Sequence, residues 1–333
     1  MLIRSRAPFR ISFGGGGTDV PPYCWEHGGA VLNVTVNRYA YASLIPLGDK
    51  IVLSSVDLNR ELEYSVSRLP YDGNLDLIKG VVNQFRLDKG FRVETFSEMQ
   101  PGSGMGTSSS LAVSLIGAFS EALGLNMNKY DIAMLAYRVE RVELGQLGGY
   151  QDQFAAAFGG LNLMEFFKDK VKVTPVNLKE EVLEELQYRT LLFFTGKAHF
   201  SPEIHSDMKK KYEEEKEREK QVRDELKRIA YELHRALKNE DLDYFGQLIN
   251  ENWEFKKKMS DKISDEAIDR TYDALIRAGG LGGKIQGAGG GGFLLMFTKK
   301  DKRGEVIKEA MRMNLEPFSF RFEMEGVKSW KIQ

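Results

Sequence analysis

The chain has 333 residues, 42% hydrophobic and 29% charged, which suits two domains or one large two-layer domain. A net charge of -1 argues against a surface dedicated to nucleic acid, and a single cysteine, Cys24, excludes an intrachain disulfide. The four histidines have no zinc-site spacing, and no uncharged apolar run approaches the about 18 residues of a membrane span, so a cytoplasmic protein without membrane or nucleic-acid partners is expected.

In chain order, β-prone stretches come first: "AVLNVTVNRYAYASLIPL", "KIVLSSV", "RELEYSV" and "FRVETFSEM". Apolar residues at helical spacing then predict a helix from about Ser108 to Leu123, with Leu111, Leu115, Ile116, Phe119 and Leu123 inward. A second is predicted from about Lys129 to Leu144, burying Ile132, Leu135, Ala136 and Val139. "TLLFFTG" reads as a buried strand ending at Gly196. From about Pro202 to Met259 the chain is helix-forming and densely charged, as expected for solvated faces laced with i,i+4 pairs. A helix over Asp265 to Ala278, the strand "GFLLMF", a helix over Arg303 to Met313 and a last strand near "FSFRFE" complete the pass. The change of character near residue 190 divides the chain into domains of residues 1–189 and 190–333, each mixing helices and strands.

Three glycine-rich segments stand out: "RAPFRISFGGGGTD", "PGSGMGTSSS" and "KIQGAGGGGF". In the second, Gly102, Gly104 and Gly106 permit positive φ and leave amides uncovered, just where a helix begins. Free amides and the positive end of the helix dipole favour phosphate there. The segment lacks the lysine of a Walker loop, and Thr107 replaces the third glycine of a dinucleotide fingerprint. The literal match at Gly287 to Gly292 precedes a strand, which is the wrong context for that fingerprint. Bound phosphate implies a cation, and the candidate acids are Glu140, Glu143 and Asp152, the last read as a loop residue. An amide cradle, a hydroxyl, a helix glutamate and a loop aspartate are the parts that phosphoryl transfer needs.

These motifs, in order from Arg6 to Phe297, resemble those of the GHMP small-molecule kinases, with the middle motif matched as "PGSGMGTSS". The resemblance implies an α+β fold: an N-terminal domain like ribosomal protein S5 domain 2, then a ferredoxin-like C-terminal domain. It implies ATP and magnesium as cofactors. Pro101, Gly102, Ser103, Gly104, Met105, Gly106, Thr107, Ser108 and Ser109 would wrap the nucleotide phosphates, with Ser108 and Glu140 on the metal. Asp152 falls at the family's catalytic aspartate, and Arg10 stands where mevalonate kinases carry a lysine. Gly17, Thr18 and Asp19, with Gly287, Ala288 and Gly289, would meet the acceptor, a small-molecule sugar or sugar phosphate; Asp19 also reads as a turn or cap residue.

Within the family, "RISFGGGGTDVPPYC", "ERVELGQLGGYQDQFAAAFGGLNLMEF" and "EGVKSWKI" are most similar to the kinases that phosphorylate the anomeric hydroxyl of D-glycero-α-D-manno-heptose 7-phosphate, on the route to GDP-heptose. The substrate's own phosphate would then meet Arg10 or Lys197. A free hexose such as fucose, mannose or galactose is the alternative acceptor, and a non-catalytic ligand-binding relative is the alternative class.

Overall fold

Strand and helix patterning in the sequence accounts for most elements of the computed structural model, which describes residues 2–65, 68–87, 89–196 and 201–332. The first half holds β1 (Leu2–Gly14), α1 (Tyr23–His27), β2 (Gly29–Pro46), β3 (Lys50–Ser55), β4 (Arg60–Ser65), α2 (Asp76–Val82) and β5 (Phe91–Ser97). Next come helices α3 (Thr107–Leu123), α4 (Lys129–Tyr137) and α5 (Gln151–Phe158), then β6 (Leu161–Phe166), β7 (Val171–Pro175) and α6 (Glu180–Arg189). The second half runs through β8 (Thr190–Phe194), α7 (Ser201–Glu214), α8 (Lys216–Lys238), α9 (Leu242–Lys257) and α10 (Glu266–Arg277). It ends with β9 (Gly280–Ile285), β10 (Phe293–Thr298), α11 (Arg303–Arg312), β11 (Glu316–Pro317), β12 (Phe322–Glu323) and β13 (Lys328–Ile332).

Strand β2 organises the large sheet. One edge pairs with β1 along most of its length, while the other pairs in turn with β6, β12 and β5. Side-chain alternation along β1 gives the two faces of this sheet different neighbours. Phe9, Ile11 and Phe13 enter one core, so Arg10 and Ser12 point to the opposite face. That face is covered by α3 and α5, whose own apolar stripes fill a separate cluster around Leu115, Phe119 and Phe154.

The smaller sheet has strand order β11-β8-β10-β9, all antiparallel. Taken with the helices between them, these strands form the ferredoxin-like pattern expected for the C-terminal half. Its central strands are covered on both faces: Leu192, Leu295 and Phe297 join Phe9 and Ile11, whereas Phe193, Leu294 and Met296 join Trp253 and Leu275. Two covered faces explain why "GFLLMF" is apolar without alternation.

Several boundaries differ from expectation. Tyr137 ends α4, and the predicted continuation to Leu144 is a π-helical turn over Arg138–Glu143. The expected last strand shrinks to β12, because the chain goes on to place β13 on the outer edge of β1. Strand β1 itself has no clear sequence signal, since Pro8, Arg10 and Ser12 interrupt its apolar pattern.

Candidate active site

All three glycine segments meet at one cavity of about 820 Å³ between the two halves. Gly102, Gly104 and Gly106 all take positive φ, as their spacing implied. Gly104 is tighter than Gly106: a Cβ there would lie 2.4 Å from the Gln286 carbonyl oxygen, so the second and third glycine segments touch backbone to backbone. Helix α3 starts directly after Gly106 with no side-chain cap, leaving its first amides free at the wall of the cavity. Free amides and the positive end of the helix dipole favour an anion at such a start.

Arg10 reaches the same wall from β1. Its Nε and Nη2 lie 2.7 and 2.6 Å from Oδ1 of Asp152, and its Nη1 donates to the Gly104 carbonyl at 2.6 Å. The guanidinium is only 4% exposed and the Asp152 carboxylate 21%. Its Oδ2 has no hydrogen-bond partner among the described residues and opens into the cavity. Asp152 lies in the first turn of α5, which corrects the loop placement read from the sequence. Eight residues flanked by glycine pairs are too few for helical periodicity to show.

Glu140 sits in the π-helical turn, 1% exposed. Ser109 Oγ and Gln153 Nε2 donate to its Oε2 at 2.7 and 2.6 Å, fixing the carboxylate. Its Oε1 accepts from Ser108 Oγ at 2.7 Å, and both residues line the cavity. A hydroxyl and a carboxylate oxygen so placed match what magnesium takes from a protein, with about 2.9 Å expected between adjacent ligands of an octahedral ion. No cluster of three His, Cys, Asp or Glu side chains occurs among the described residues, and magnesium ordinarily completes its shell from water and substrate phosphate.

The remaining predicted residues divide. Pro101, Gly102, Thr107, Gly17, Gly287 and Ala288 line the cavity. Thr18 does not: its hydroxyl is taken up by the Gly15 carbonyl within the turn at 2.8 Å and by the Ala30 carbonyl of β2 at 2.9 Å, which corrects its expected contact with the acceptor. Ser103, Met105 and Gly289 are packed behind the wall; the Ser103 carbonyl accepts from the Phe293 amide, and Met105 is buried in the shared core. Lys197 lies outside the described residues. Asp19 lines the cavity and also accepts from the amides of Gly17 and Gln151 at 3.0 and 3.1 Å, so it ties the first glycine turn to the start of α5. Burial above all, and then the charge of Asp152, push its pKa up, while the amide bonds oppose them.

Sequence reasoning missed Lys256, His205 and Arg141, which also line the cavity. Lys256 was hidden in the charged run "EFKKKMS", where only the buried stripe of α9 (Leu248, Ile249, Asn252, Trp253) marks it as inward-facing.

The kinase family model for the "GHMP kinases N terminal domain" matches residues 76–160, and that for the "GHMP kinases C terminal" matches residues 233–316. Over 99% of both chains, the sequence is 39% identical to D-glycero-alpha-D-manno-heptose 7-phosphate kinase of Campylobacter jejuni. The chain belongs to the GHMP kinase family. A crystal structure of a D-glycero-D-manno-heptose 1-phosphate kinase from Bacteroides thetaiotaomicron superposes on this GHMP kinase with a TM-score of 0.83, at 33% identity and covering 99% of each chain. Galactokinase of Lactococcus lactis, at 20% identity and a TM-score of 0.78 over 99% of this chain and 95% of its own, shares the fold. The expected two-part α+β architecture and the phosphotransferase class therefore hold for this GHMP kinase.

Proposed function

We propose that this kinase uses ATP and magnesium to phosphorylate the anomeric hydroxyl of D-glycero-α-D-manno-heptose 7-phosphate, giving the 1,7-bisphosphate. The observation that carries the reading is the joint opening of two pairs, Arg10 with Asp152 and Ser108 with Glu140, onto one cavity beside a free helix N-terminus. The similarity to the Campylobacter heptose 7-phosphate kinase supports this choice of sugar.

Phosphoryl transfer demands positioning and charge stabilisation more than covalent chemistry. The amides at the start of α3 and the backbone of Gly102 to Gly106 would cradle the nucleotide phosphates. Ser108 Oγ and Glu140 Oε1 would hold magnesium, which when bound neutralises charge on the transferring phosphoryl group. Arg10 fixes Asp152 through Oδ1, so that Oδ2 is left to accept the proton of the attacking hydroxyl. A guanidinium beside that hydroxyl also stabilises the developing negative charge, a role for which its fork is better suited than an ammonium. Asp19, held at the start of α5 and lining the same cavity, would take vicinal sugar hydroxyls.

The test is kcat/KM for heptose 7-phosphate against unphosphorylated heptose, fucose, mannose and galactose. Preference for the phosphorylated heptose by at least about tenfold supports the reading, since a charge-assisted phosphate contact is worth at least about 1.5 kcal/mol. Equal or better turnover of a free hexose overturns the choice of sugar. Nucleotide binding with no turnover of any sugar would instead favour a ligand-binding relative.

A further inference from the structure

A lysine on the buried stripe of a helix needs a reason. Lys256 is the last inward position of α9, following Ile249, Asn252 and Trp253 at helical spacing, and is 4% exposed. Its sequence neighbours behave as charged residues usually do: Lys257 pairs with Glu254 at 2.9 Å, and Lys258 lies over the Phe255 ring. Lys256 instead turns under the first glycine segment, its Nζ 3.3 Å from the Gly16 carbonyl oxygen and 3.8 Å from the Met208 sulfur. Among the described residues no carboxylate lies within 4.0 Å of it.

The two acids whose charges reach Lys256 are already engaged. Asp19 accepts from two backbone amides, and Glu219 pairs with Arg223 inside α8. Burial, reinforced by the Arg223 charge, pulls the ammonium down to about 8 from its ordinary 10.5. An ammonium with three donors therefore meets one carbonyl, one weak sulfur acceptor and the open cavity. His205 and Arg141 line the cavity too, and the pKa of His205 is lowered to about 4 by burial and by the charges of Lys256 and Arg141. Neutral at pH 7, that imidazole can donate one hydrogen bond to an anion without adding charge.

We infer that Lys256, with His205 beside it, holds the phosphate that the sugar already carries, and so acts as a specificity-determining residue at the end of the cavity beneath Gly17. The inference rests on the reading of the acceptor as a sugar phosphate and names the group that recognises it. Arg10 is not free for that task, being committed to Asp152 and Gly104. Lys284 is also buried without a carboxylate, but its Nζ donates to the Ser12 carbonyl and does not line the cavity. A dianion brought to Lys256 completes its hydrogen bonds and supplies the direct counter-charge that no carboxylate among the described residues gives it.

The experiment compares wild type with Lys256→Met and Lys256→Gln, the first matching neighbouring Met208 and Met259 in character. Heptose 7-phosphate and unphosphorylated heptose are titrated calorimetrically without nucleotide, and their steady-state kinetics are measured. Both variants should weaken binding of heptose 7-phosphate and raise its KM at least tenfold, with kcat/KM for the unphosphorylated heptose and KM for ATP within threefold. An equal loss on both sugars would make Lys256 a structural residue and overturn the inference. So would an unchanged preference for the phosphorylated sugar, although the reading of the substrate would then stand. A wild-type enzyme that prefers a free sugar overturns that reading, and the inference with it.

Discussion

Arg10 and Asp152 are 142 positions apart, and only the fold makes them one unit. The sequence singled out both: Arg10 for its place in the first motif, where mevalonate kinases carry a lysine, and Asp152 as an acid between a Gly-Gly pair and an apolar run. Their direct contact was not legible, since it depends on strand alternation in a β1 that the sequence did not reveal. Asp152→Asn should lower kcat at least about a hundredfold while nucleotide affinity changes little, because size and polarity survive and only the proton acceptor is lost. A loss below about tenfold in a steady-state assay would make Asp152 a helix-end residue without catalytic duty. Lys256 carries a stability consequence of its own. Its pKa is lowered in the folded state, so between pH 8 and 10.5 the unfolded chain binds more protons and stability rises with pH. At pH 7 the buried ammonium costs on the order of 3 kcal/mol. Lys256→Met should therefore raise the melting temperature of the free enzyme at pH 7, with a smaller gain at pH 10; a lower melting temperature at pH 7 would contradict this.

Turns and helix ends build the site at the scale of elements. The helix read from Ser108 is observed from Thr107, because apolar spacing and the preceding glycines fix both its face and its start. The π-helical turn carrying Glu140 has no comparable signal; one extra residue per turn is invisible to periodicity, yet it aims the carboxylate at Ser108 and Ser109. Gly104→Ala tests the contact between glycine segments. It combines a left-handed φ of 78° with a Cβ 2.4 Å from a carbonyl oxygen, so the cradle must shift. The expected outcome is at least a tenfold fall in kcat/KM for ATP with the fold retained by circular dichroism. The metal pair is tested separately: Ser108→Ala and Glu140→Gln each remove an oxygen from a hard cation and should raise the magnesium concentration for half-maximal rate. Unchanged magnesium titrations in both would place the metal elsewhere.

At the scale of the whole molecule, the change of composition near residue 190 coincides with the start of the second sheet, but the chain does not stay there. After β11 it returns, and β12 and β13 complete the first sheet. One core joins Phe9 and Val34 of the first sheet to Leu233, Phe245 and Leu295 of the second half. Composition cannot show such a return, because a five-residue edge strand such as β13 has no distinctive signature. A chain ending at Glu325 would leave the edge of β1 unpaired and uncover Gly117 on α3, which packs against Val327 and Ser329. It should melt at least about 5 °C lower than the full chain. The site likewise draws on both halves, since Gly102 to Gly106, the Arg10–Asp152 pair and Lys256 meet at one cavity between them. The direct measurement is phosphorus NMR of the product formed from heptose 7-phosphate, ATP and magnesium. The account requires a new phosphate resonance coupled to the anomeric proton of the α sugar, and none with Asp152→Asn. Coupling to any other carbinol proton, or ADP released with no new sugar phosphate, would contradict it.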